Sequence, residues 1–308
     1  MCKEHIQALK QTIKLNVRGG IPILRCLEHS DGTLKATNLT VMTQIKTPTI
    51  PDGIWNAEAL EFGFRDDTKN TEFELVDFPE VELKNVEIEI ELTPDDMANI
   101  FRASEFVSKD MTRPVLTGVA IIGGRVYGCD GYKLFRDDIS NNIGDREIVI
   151  PMDTIKVLKS AKAEKHNWIL TVYEGHVAFV SGNITIMSGT IDGRCPDYES
   201  LITSGAYDSW FEIDLKNTTI PKDWNIRANT EDGVVEIVDG DGKAIRVSEL
   251  VKVEPTELKL DGRREIVMGL SGYEKKYTTI DPKLLRMFKK NTIRIYHNEK
   301  LNEVKIVK

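Results

Sequence analysis

The sequence predicts an α+β protein that is built from three repeated units of antiparallel strands and helices. Three segments share a glycine, an apolar residue two positions later and an Asn or Asp six positions later: Gly32–Asn38, Gly124–Asp130 and Gly233–Asp239. Their first glycines are separated by 92 and 109 residues, a spacing typical of small domains. Short apolar runs around a tight turn, as at Gly123-Gly124, indicate β-hairpins. A repeated unit explains these recurrences better than coincidence among short strand motifs does.

A second element recurs in the same register and supports the same division. Thr49–Asp52, Val149–Met152 and Thr279–Pro282 each contain an isoleucine that is followed by a proline one or two positions later. Each is predicted to start a helix, because proline is favoured in the first helical turn. The repeats predict unit boundaries at residues 1–90, 91–203 and 204–308.

The amino-acid composition is that of a globular protein, and the sequence has no motif for a metal site or a membrane segment. The chain has 308 residues, 41% of them hydrophobic, and a net charge of −8. No apolar run approaches the ~18 residues of a membrane span, and Lys3, Glu4 and Lys10 interrupt any signal-peptide core. The four cysteines have no CxxC spacing and the five histidines are scattered. We therefore expect a reducing, cytoplasmic location, no membrane association, no metal site and no cofactor.

The first unit, residues 1–90, is short. A helix is predicted from Lys3 to Leu15, with Ile6, Leu9 and Ile13 on one face. The strand pair Ile23–Leu27 and Thr33–Thr37 follows, preceded by the Pro-apolar-Leu step Pro22–Leu24. The signal for a second helix at 55–62 is weak, and Asp77-Phe78-Pro79 closes the unit.

The second unit, residues 91–203, is the most complete. Thr93 and Asp96 form a capping box around Pro94, so a helix starts there. A second helix is predicted from Met152 to Glu164, and paired strands at 168–173 and 177–180. The predicted inward faces of the two helices are Met97, Ile100, Phe101, Ser104 and Val107 on the first, and Ile155, Leu158 and Ala161 on the second.

The third unit, residues 204–308, is the least regular. Asn217–Pro221 is too β-branched and too broken by proline to form a first helix. A later helix is predicted with Asp281 as its cap, Pro282 next, and Leu284, Leu285 and Phe288 on one face. Paired strands are predicted at 292–296 and 303–307.

Three strings in the middle of the chain resemble one protein family. Leu116-Thr117-Gly118, Asp130–Leu134 (DGYKL) and Asp192–Tyr198 (DGRCPDY) resemble the L-x-G, DG(H/Y)(R/K)L and DG(R/K)FPDY strings of the bacterial-type DNA sliding clamp, the DNA polymerase III beta subunit. The resemblance implies three clamp-type domains, with outer antiparallel sheets and helices that line the inner face of a ring. It also implies a homodimer ring around duplex DNA. The chain resembles a divergent, shortened member, such as a phage would encode.

The resemblance implies a role for the basic residues on the predicted helices. Helices that line a ring would hold DNA through phosphates, without base readout and with strong salt dependence. The alternative is that these side chains only solvate exposed helix faces. The candidate DNA-binding residues are Lys3, Lys10, Lys14, Arg102, Lys156, Lys159, Lys162, Lys283, Arg286 and Lys290.

The resemblance also implies a cleft for short apolar peptides of the polymerase and the clamp loader. The alternative is that its residues are core residues at a domain boundary. Ser200 stands where the family commonly has a basic residue, and we expect the cleft to lack the C-terminal tail that borders it in the family. The cleft residues carried over by motif are Leu116, Gly131, Tyr132, Lys133, Leu134, Pro196 and Leu201.

Two other classes of function remain open. A clamp-derived interaction protein would bind replication partners without encircling DNA, and the shortened outer units favour it. An enzyme is not expected, because GxSxG, HExxH and P-loop motifs are absent. Asp137, Asp138, Asp192 and Asp197 could hold Mg²⁺, but Asp beside Gly or Pro more commonly serves turns and caps.

Overall fold

A computed structural model of the chain describes most of its residues and divides them into two compact units. Unit 1 contains Met1–Val126 and Ile139–Arg194, and unit 2 contains Tyr127–Asp138 and Cys195–Lys308. The described residues are 1–16, 20–83, 85–203, 206–218, 220–221, 224–229, 232–239, 241, 243–249, 251–257, 265–269, 277–280, 282–288, 291–298 and 303–307.

The described residues form helices and strands with the following bounds. The helices are α1 Lys3–Lys14, α2 Ala59–Phe62, α3 Pro94–Ala103, α4 Met152–Ser160, α5 Tyr198–Thr203 and α6 Pro282–Leu285. The first twelve strands are β1 Cys26–Ser30, β2 Thr33–Thr37, β3 Val41–Lys46, β4 Gly53–Asn56, β5 Val86–Leu92, β6 Val119–Ile122, β7 Arg125–Cys129, β8 Lys133–Asp138, β9 Glu147–Ile150, β10 Trp168–Tyr173, β11 His176–Ser181 and β12 Ile184–Gly189. The others are β13 Ala206–Asp214, β14 Asn225–Asn229, β15 Val234–Val238, β16 Ala244–Glu249, β17 Val251–Glu257, β18 Glu265–Gly269, β19 Tyr277–Ile280, β20 Thr292–Asn298 and β21 Glu303–Val307.

Antiparallel pairing confirms the α+β class. In unit 1 an eight-stranded sheet has the order β4-β1-β2-β3-β12-β11-β10-β5, and β6 pairs separately with β9. The predicted strands 168–173 and 177–180 pair as β10 and β11, with Leu170 opposite Phe179. Both side chains are fully buried, as the alternation of side chains along a half-buried strand requires.

The glycine strings confirm the repeat as a structural feature. Gly32, Gly124 and Gly233 each stand directly before a strand, β2, β7 and β15. Gly32 and Gly233 have φ values of 69° and 68°, which side chains with a Cβ rarely adopt. The three-unit boundaries stay a prediction, because the compact units follow contacts in space and not the repeat.

The predicted capping box of α3 is confirmed. The Thr93 hydroxyl accepts the backbone N–H of Asp96, whose carboxylate accepts the backbone N–H of Thr93. Met97 and Ile100 of this helix are fully buried. In α1, the side chains of Ala8, Leu9 and Thr12 are buried, whereas Ile6 and Ile13 are half-buried.

Two predictions at proline are wrong in detail. Pro22–Arg25 is a 3-10 helix, so the predicted strand Ile23–Leu27 starts only at Cys26. Pro114–Thr117 forms the same kind of turn, because proline fixes φ near −65° and lacks a hydrogen-bond donor. After Pro51 the chain forms strand β4 and not the predicted helix; α2 begins later, at Ala59.

The predicted helix Met152–Glu164 ends early. α4 stops at Ser160, and Lys162 has left-handed backbone angles of φ 52° and ψ 46°. Ile155, Leu158 and Ala161 are buried as predicted. Lys162 therefore does not continue the helical face of Lys156 and Lys159.

Unit 2 contains two groups of antiparallel strands. Six strands have the order β17-β13-β20-β21-β18-β8, and a four-stranded sheet has the order β16-β15-β14-β19. The predicted pair 292–296 and 303–307 is confirmed, with Ile295 opposite Ile306. Asn217 and Thr218 lie in a turn after β13, as expected for a segment that is a poor helix. Leu285 and Phe288 are buried at α6, while the predicted cap Asp281 lies outside the described residues.

Candidate DNA-binding surface and peptide site

Seven candidate DNA-binding residues lie on helices of unit 1 or directly after them. α1 packs against α4. The side chains of Lys3, Lys14, Lys156, Lys159 and Lys162 are exposed, and those of Lys10 and Arg102 are half-buried. We call this set the basic helix surface: Lys3, Lys10, Lys14, Arg102, Lys156, Lys159 and Lys162.

Carboxylates of unit 1 already neutralise three of these lysines. Lys156 Nζ lies 2.8 Å from Asp153 one helical turn earlier, and Lys162 Nζ lies 3.6 Å from Glu4 of α1. Lys10 pairs with Glu61 of α2. Lys3 and Lys14, in contrast, have no ion-pair partner within the part of the chain that the structure describes. The surface is therefore less positive than its lysine content suggests.

Two other cations of the surface contact neighbouring side chains. Lys159 Nζ donates to Ser104 Oγ at 2.8 Å and lies 5.5 Å from the ring centroid of Phe101. Burial of its ammonium group lowers the pKa of Lys159. Arg102 donates to the side-chain oxygen of Asn99. Lys159 thus braces α4 against the end of α3, in addition to any contact with DNA.

The remaining three candidates belong to unit 2. Lys283 and Arg286 lie in the helical segment Pro282–Phe288, and their side chains are not among those described. Lys290 lies outside the described residues. Their contact with DNA stays a prediction.

A sharp turn positions the predicted cleft residues on β8. The Asp130 side chain accepts the backbone N–H groups of Tyr132 and Lys133, both at 2.8 Å, and Gly131 has φ 92°. Asp-Gly is suited to this turn because Asp accepts local backbone hydrogen bonds and Gly tolerates positive φ. The turn leaves Tyr132 76% exposed, whereas Leu134 is 4% exposed and belongs to the core.

Two other predicted cleft residues, Pro196 and Leu201, lie just before α5 and within it. Asp197 caps α5 by accepting the backbone N–H of Ser200 at 3.0 Å and its hydroxyl at 2.6 Å. Pro196 is exposed and Leu201 is 48% exposed. This use of Asp197 matches the cap role that the sequence favoured over metal binding.

Three residues that the sequence did not single out fix α5 on unit 2. Glu199 accepts the Tyr127 hydroxyl at 2.6 Å and Arg136 Nη1 at 3.1 Å. The rings of Tyr127 and Tyr198 stack with centroids 4.8 Å apart. These contacts join residues that are 63 and 72 positions apart, so no local pattern could have shown them.

Leu116 belongs to unit 1, unlike the other predicted cleft residues. It is 7% exposed and its carbonyl accepts the backbone N–H of Ser108 at 2.7 Å. Within unit 1 it is a core residue, and its place in a cleft stays a prediction.

Unit 1 also has a mainly apolar cavity of about 860 Å³. None of the predicted cleft residues lines it, although Lys156 of the basic helix surface does. Among its lining residues are Val107, Met111, Pro151, Met152, Thr190 and Ile191.

The candidate carboxylates and cysteines do not form a metal site within the described ranges. No three His, Cys, Asp or Glu side chains are grouped there as ligands of a metal ion. The cysteines Cys2, Cys26, Cys129 and Cys195 form no disulfide bond with one another. The described helices are also too short or too polar to cross a membrane.

Comparison with solved structures identifies the class of fold as that of DNA sliding clamps. The structure is similar to the DNA polymerase III beta subunit of Thermotoga maritima, with a TM-score of 0.68 and 13% identity over 99% of this chain and 95% of that chain. The sliding clamp of Bacillus subtilis gives a TM-score of 0.66 and 15% identity over the same shares of the two chains.

The particular fold is that of the DNA polymerase III beta subunit, as the three strings predicted. The griselimycin-bound sliding clamp of Bartonella birtlesii, also a beta subunit, gives a TM-score of 0.63 and 16% identity over 98% of this chain and 95% of that chain. No protein-family model and no curated protein matches the chain. At these identities the likeness is one of fold.

Proposed function

We propose that the chain is a DNA sliding clamp, a non-enzymatic processivity factor that encircles duplex DNA and tethers a replicative polymerase. One observation carries the proposal: the chain combines the clamp fold over 99% of its length with exposed lysines on α1 and α4, which pack against each other. Lysines on adjacent helices would contact phosphates along the duplex without reading the bases.

The proposal requires a homodimer, because three repeated units per chain would give a six-unit ring from two chains. Such a ring would use the same head-to-tail contact twice. Sedimentation from nanomolar to high micromolar protein should therefore show a dimer, and a monomer throughout would contradict the ring.

Retention on circular DNA is the direct test. A protein that encircles DNA stays on a primed circle loaded with the help of a clamp loader, and it leaves when a restriction enzyme linearises that circle. A protein that merely binds phosphates dissociates equally from both forms. Equal dissociation from circular and linear DNA would refute encirclement. Retention on the circle that is lost after linearisation would support it.

The polymerase would bind through a short peptide with an aliphatic or aromatic anchor. In unit 2 the exposed Tyr132, Pro196 and Leu201 offer apolar surface, and proline cannot donate a hydrogen bond to a neighbouring strand. We propose that this surface, together with the exposed Gly131 and Lys133 and the buried Leu134, is the peptide site.

A second candidate is an interaction protein that binds replication partners and does not close around DNA. The small size of the first predicted repeat, residues 1–90, favours this candidate. Before β5, the described residues form β1–β4 and only one helix longer than four residues, whereas the described residues of 86–203 form β5–β12 with α3, α4 and α5. Fewer elements leave less surface for a head-to-tail contact. Peptide binding by a monomer that leaves circular and linear DNA equally would support this candidate.

A further inference from the structure

α5 is too short to hold its place by itself. It has six residues, and isolated helices shorter than ~12 residues are marginal in water because nucleation is unfavourable. The cap at Asp197 satisfies its first turn, but a cap acts within the helix and does not fix the helix on its neighbours. Contacts with the strands of unit 2 must therefore do so.

Glu199 makes those contacts with two different strands. Its Oε1 accepts the hydroxyl of Tyr127 on β7, and its Oε2 accepts Arg136 on β8. The Arg136 side chain is 8% exposed, while that of Glu199 is 39% exposed. A guanidinium buried to this extent needs a carboxylate partner, because an uncompensated buried charge is strongly unfavourable.

The same contacts determine which side of α5 faces outward. Successive residues of a helix are about 100° apart, so Leu201 points nearly opposite to Glu199. Leu201 is accordingly 48% exposed while Tyr198 is 4% exposed against Tyr127. When Glu199 faces the strands, Leu201 on the other side of the helix axis is presented to a partner.

We propose that Glu199 is a positioning residue of the peptide site, which holds α5 on β7 and β8 and thereby fixes Pro196 and Leu201 for a partner's anchor residue. This inference rests on the proposed function of the peptide site. Glu199 acts through α5 and need not touch the peptide.

The test combines peptide affinity with hydrogen exchange in the full-length protein. The probe is a fluorescent peptide that contains Gln and a Leu-Phe anchor, titrated against the unaltered protein, Glu199→Gln and Tyr127→Phe. Glu199→Gln keeps an acceptor for Tyr127 but loses the charge opposite Arg136. It should weaken peptide binding about tenfold or more, as expected for a charge-assisted hydrogen bond, and should accelerate amide exchange in residues 195–203.

Tyr127→Phe should give a smaller loss of about threefold, because it removes one hydrogen bond from an uncharged donor and leaves the ion pair of Glu199 with Arg136 in place. The double variant should lose less than the product of the two single effects, since both act through one carboxylate. The matched control is Glu212→Gln, because Glu212 pairs with Arg294 on β13 and β20 of the same unit. It should change neither measurement.

The outcomes separate the two proposals. If the unaltered protein does not bind the peptide, the peptide site fails, and the positioning role fails with it. If the unaltered protein binds, but Glu199→Gln has the same affinity and the same exchange rates, only the positioning role is refuted. Should Glu199→Gln fail to fold, the milder Tyr127→Phe decides: unchanged affinity and exchange there refute the role.

Discussion

Salt dependence can show whether the ion pairs of the basic helix surface weaken its hold on DNA. Two double variants are compared, and each replaces two lysines and so removes the same charge. Lys3 and Lys14 have no ion-pair partner in the described part of the chain, whereas Lys156 and Lys162 pair with Asp153 and Glu4. When a paired lysine moves to a phosphate, its carboxylate takes up a cation from solution, so the net release of counterions is smaller.

The magnitude follows from counterion release. Each lysine that neutralises a phosphate adds about 0.9 to the slope of log affinity against log salt. The double variant Lys3→Gln with Lys14→Gln should thus flatten the slope by ~1.8 per chain. Raising the salt from 50 to 200 mM lowers the affinity of both proteins for DNA. The factor by which it lowers the affinity of the double variant should be about twelvefold smaller than the factor for the unaltered protein.

The paired lysines should behave differently. Lys156→Gln with Lys162→Gln should flatten the slope by clearly less than ~1.8. Conversely, Asp153→Asn with Glu4→Gln frees both lysines and should steepen the slope by up to ~1.8. The assay is fluorescence anisotropy of a short labelled duplex over a sodium chloride series.

The control is Glu164→Gln, which removes one acid near α4 that has no ion-pair partner among the described side chains. It should leave the slope unchanged. The idea that the ion pairs weaken DNA binding would be refuted by two results together. The two lysine double variants would change the slope equally, and Asp153→Asn with Glu4→Gln would leave the slope unchanged.

Three further predictions follow from individual side chains. Lys159→Glu should lower the thermal midpoint more than Lys156→Glu in a calorimetric comparison, because only Lys159 contacts Ser104 and Phe101; equal midpoints would contradict its bracing role. The pKa of Lys159 is lowered in the folded state from its ordinary 10.5, so the unfolded chain binds more protons and stability should rise with pH in the alkaline range just below 10.5. Denaturant titrations of Lys159→Met should lack that rise, and its persistence would assign it to another group. Leu201→Ala should weaken peptide binding about tenfold with little change in stability. Leu134→Ala should cost about 2–5 kcal/mol of stability, because Leu134 is buried. The reverse pattern in paired binding and unfolding measurements would move the peptide site toward Leu134.

The sequence predicted those elements that depend on neighbouring residues. The capping box of Thr93 and Asp96 and the turn at Asp130-Gly131 use residues within three positions of each other, so their hydrogen bonds can be read from the sequence. The hairpin strands β10 and β11 follow from alternating apolar residues around a short turn. These local signals, together with the repeat, were sufficient for the α+β class.

Other details depended on information that a local pattern does not contain. The apolar segment after Pro22 suits a strand or a 3-10 turn equally well, and the structure forms the turn. The lysine-rich end of α4 continues a helical pattern in sequence, yet Lys162 takes left-handed backbone angles. The ion pair of the buried Arg136 with Glu199 joins residues far apart in the chain, and neither residue type indicates such a contact by itself.

Charge on the basic helix surface shows why counting lysines is insufficient for function. The pair Asp153–Lys156 is visible as an i, i+3 spacing, but Lys10 and Glu61 are 51 positions apart and meet only in the fold. Because these carboxylates neutralise part of the surface, the basic helix surface by itself would hold a duplex weakly. Weak, sequence-independent contacts would let a closed ring move along DNA, provided that closure of the ring and not affinity keeps it there. An open form of the same chain would then dissociate rapidly at physiological salt. Linearising the circle therefore separates the two candidate functions more sharply than a measurement of DNA affinity does.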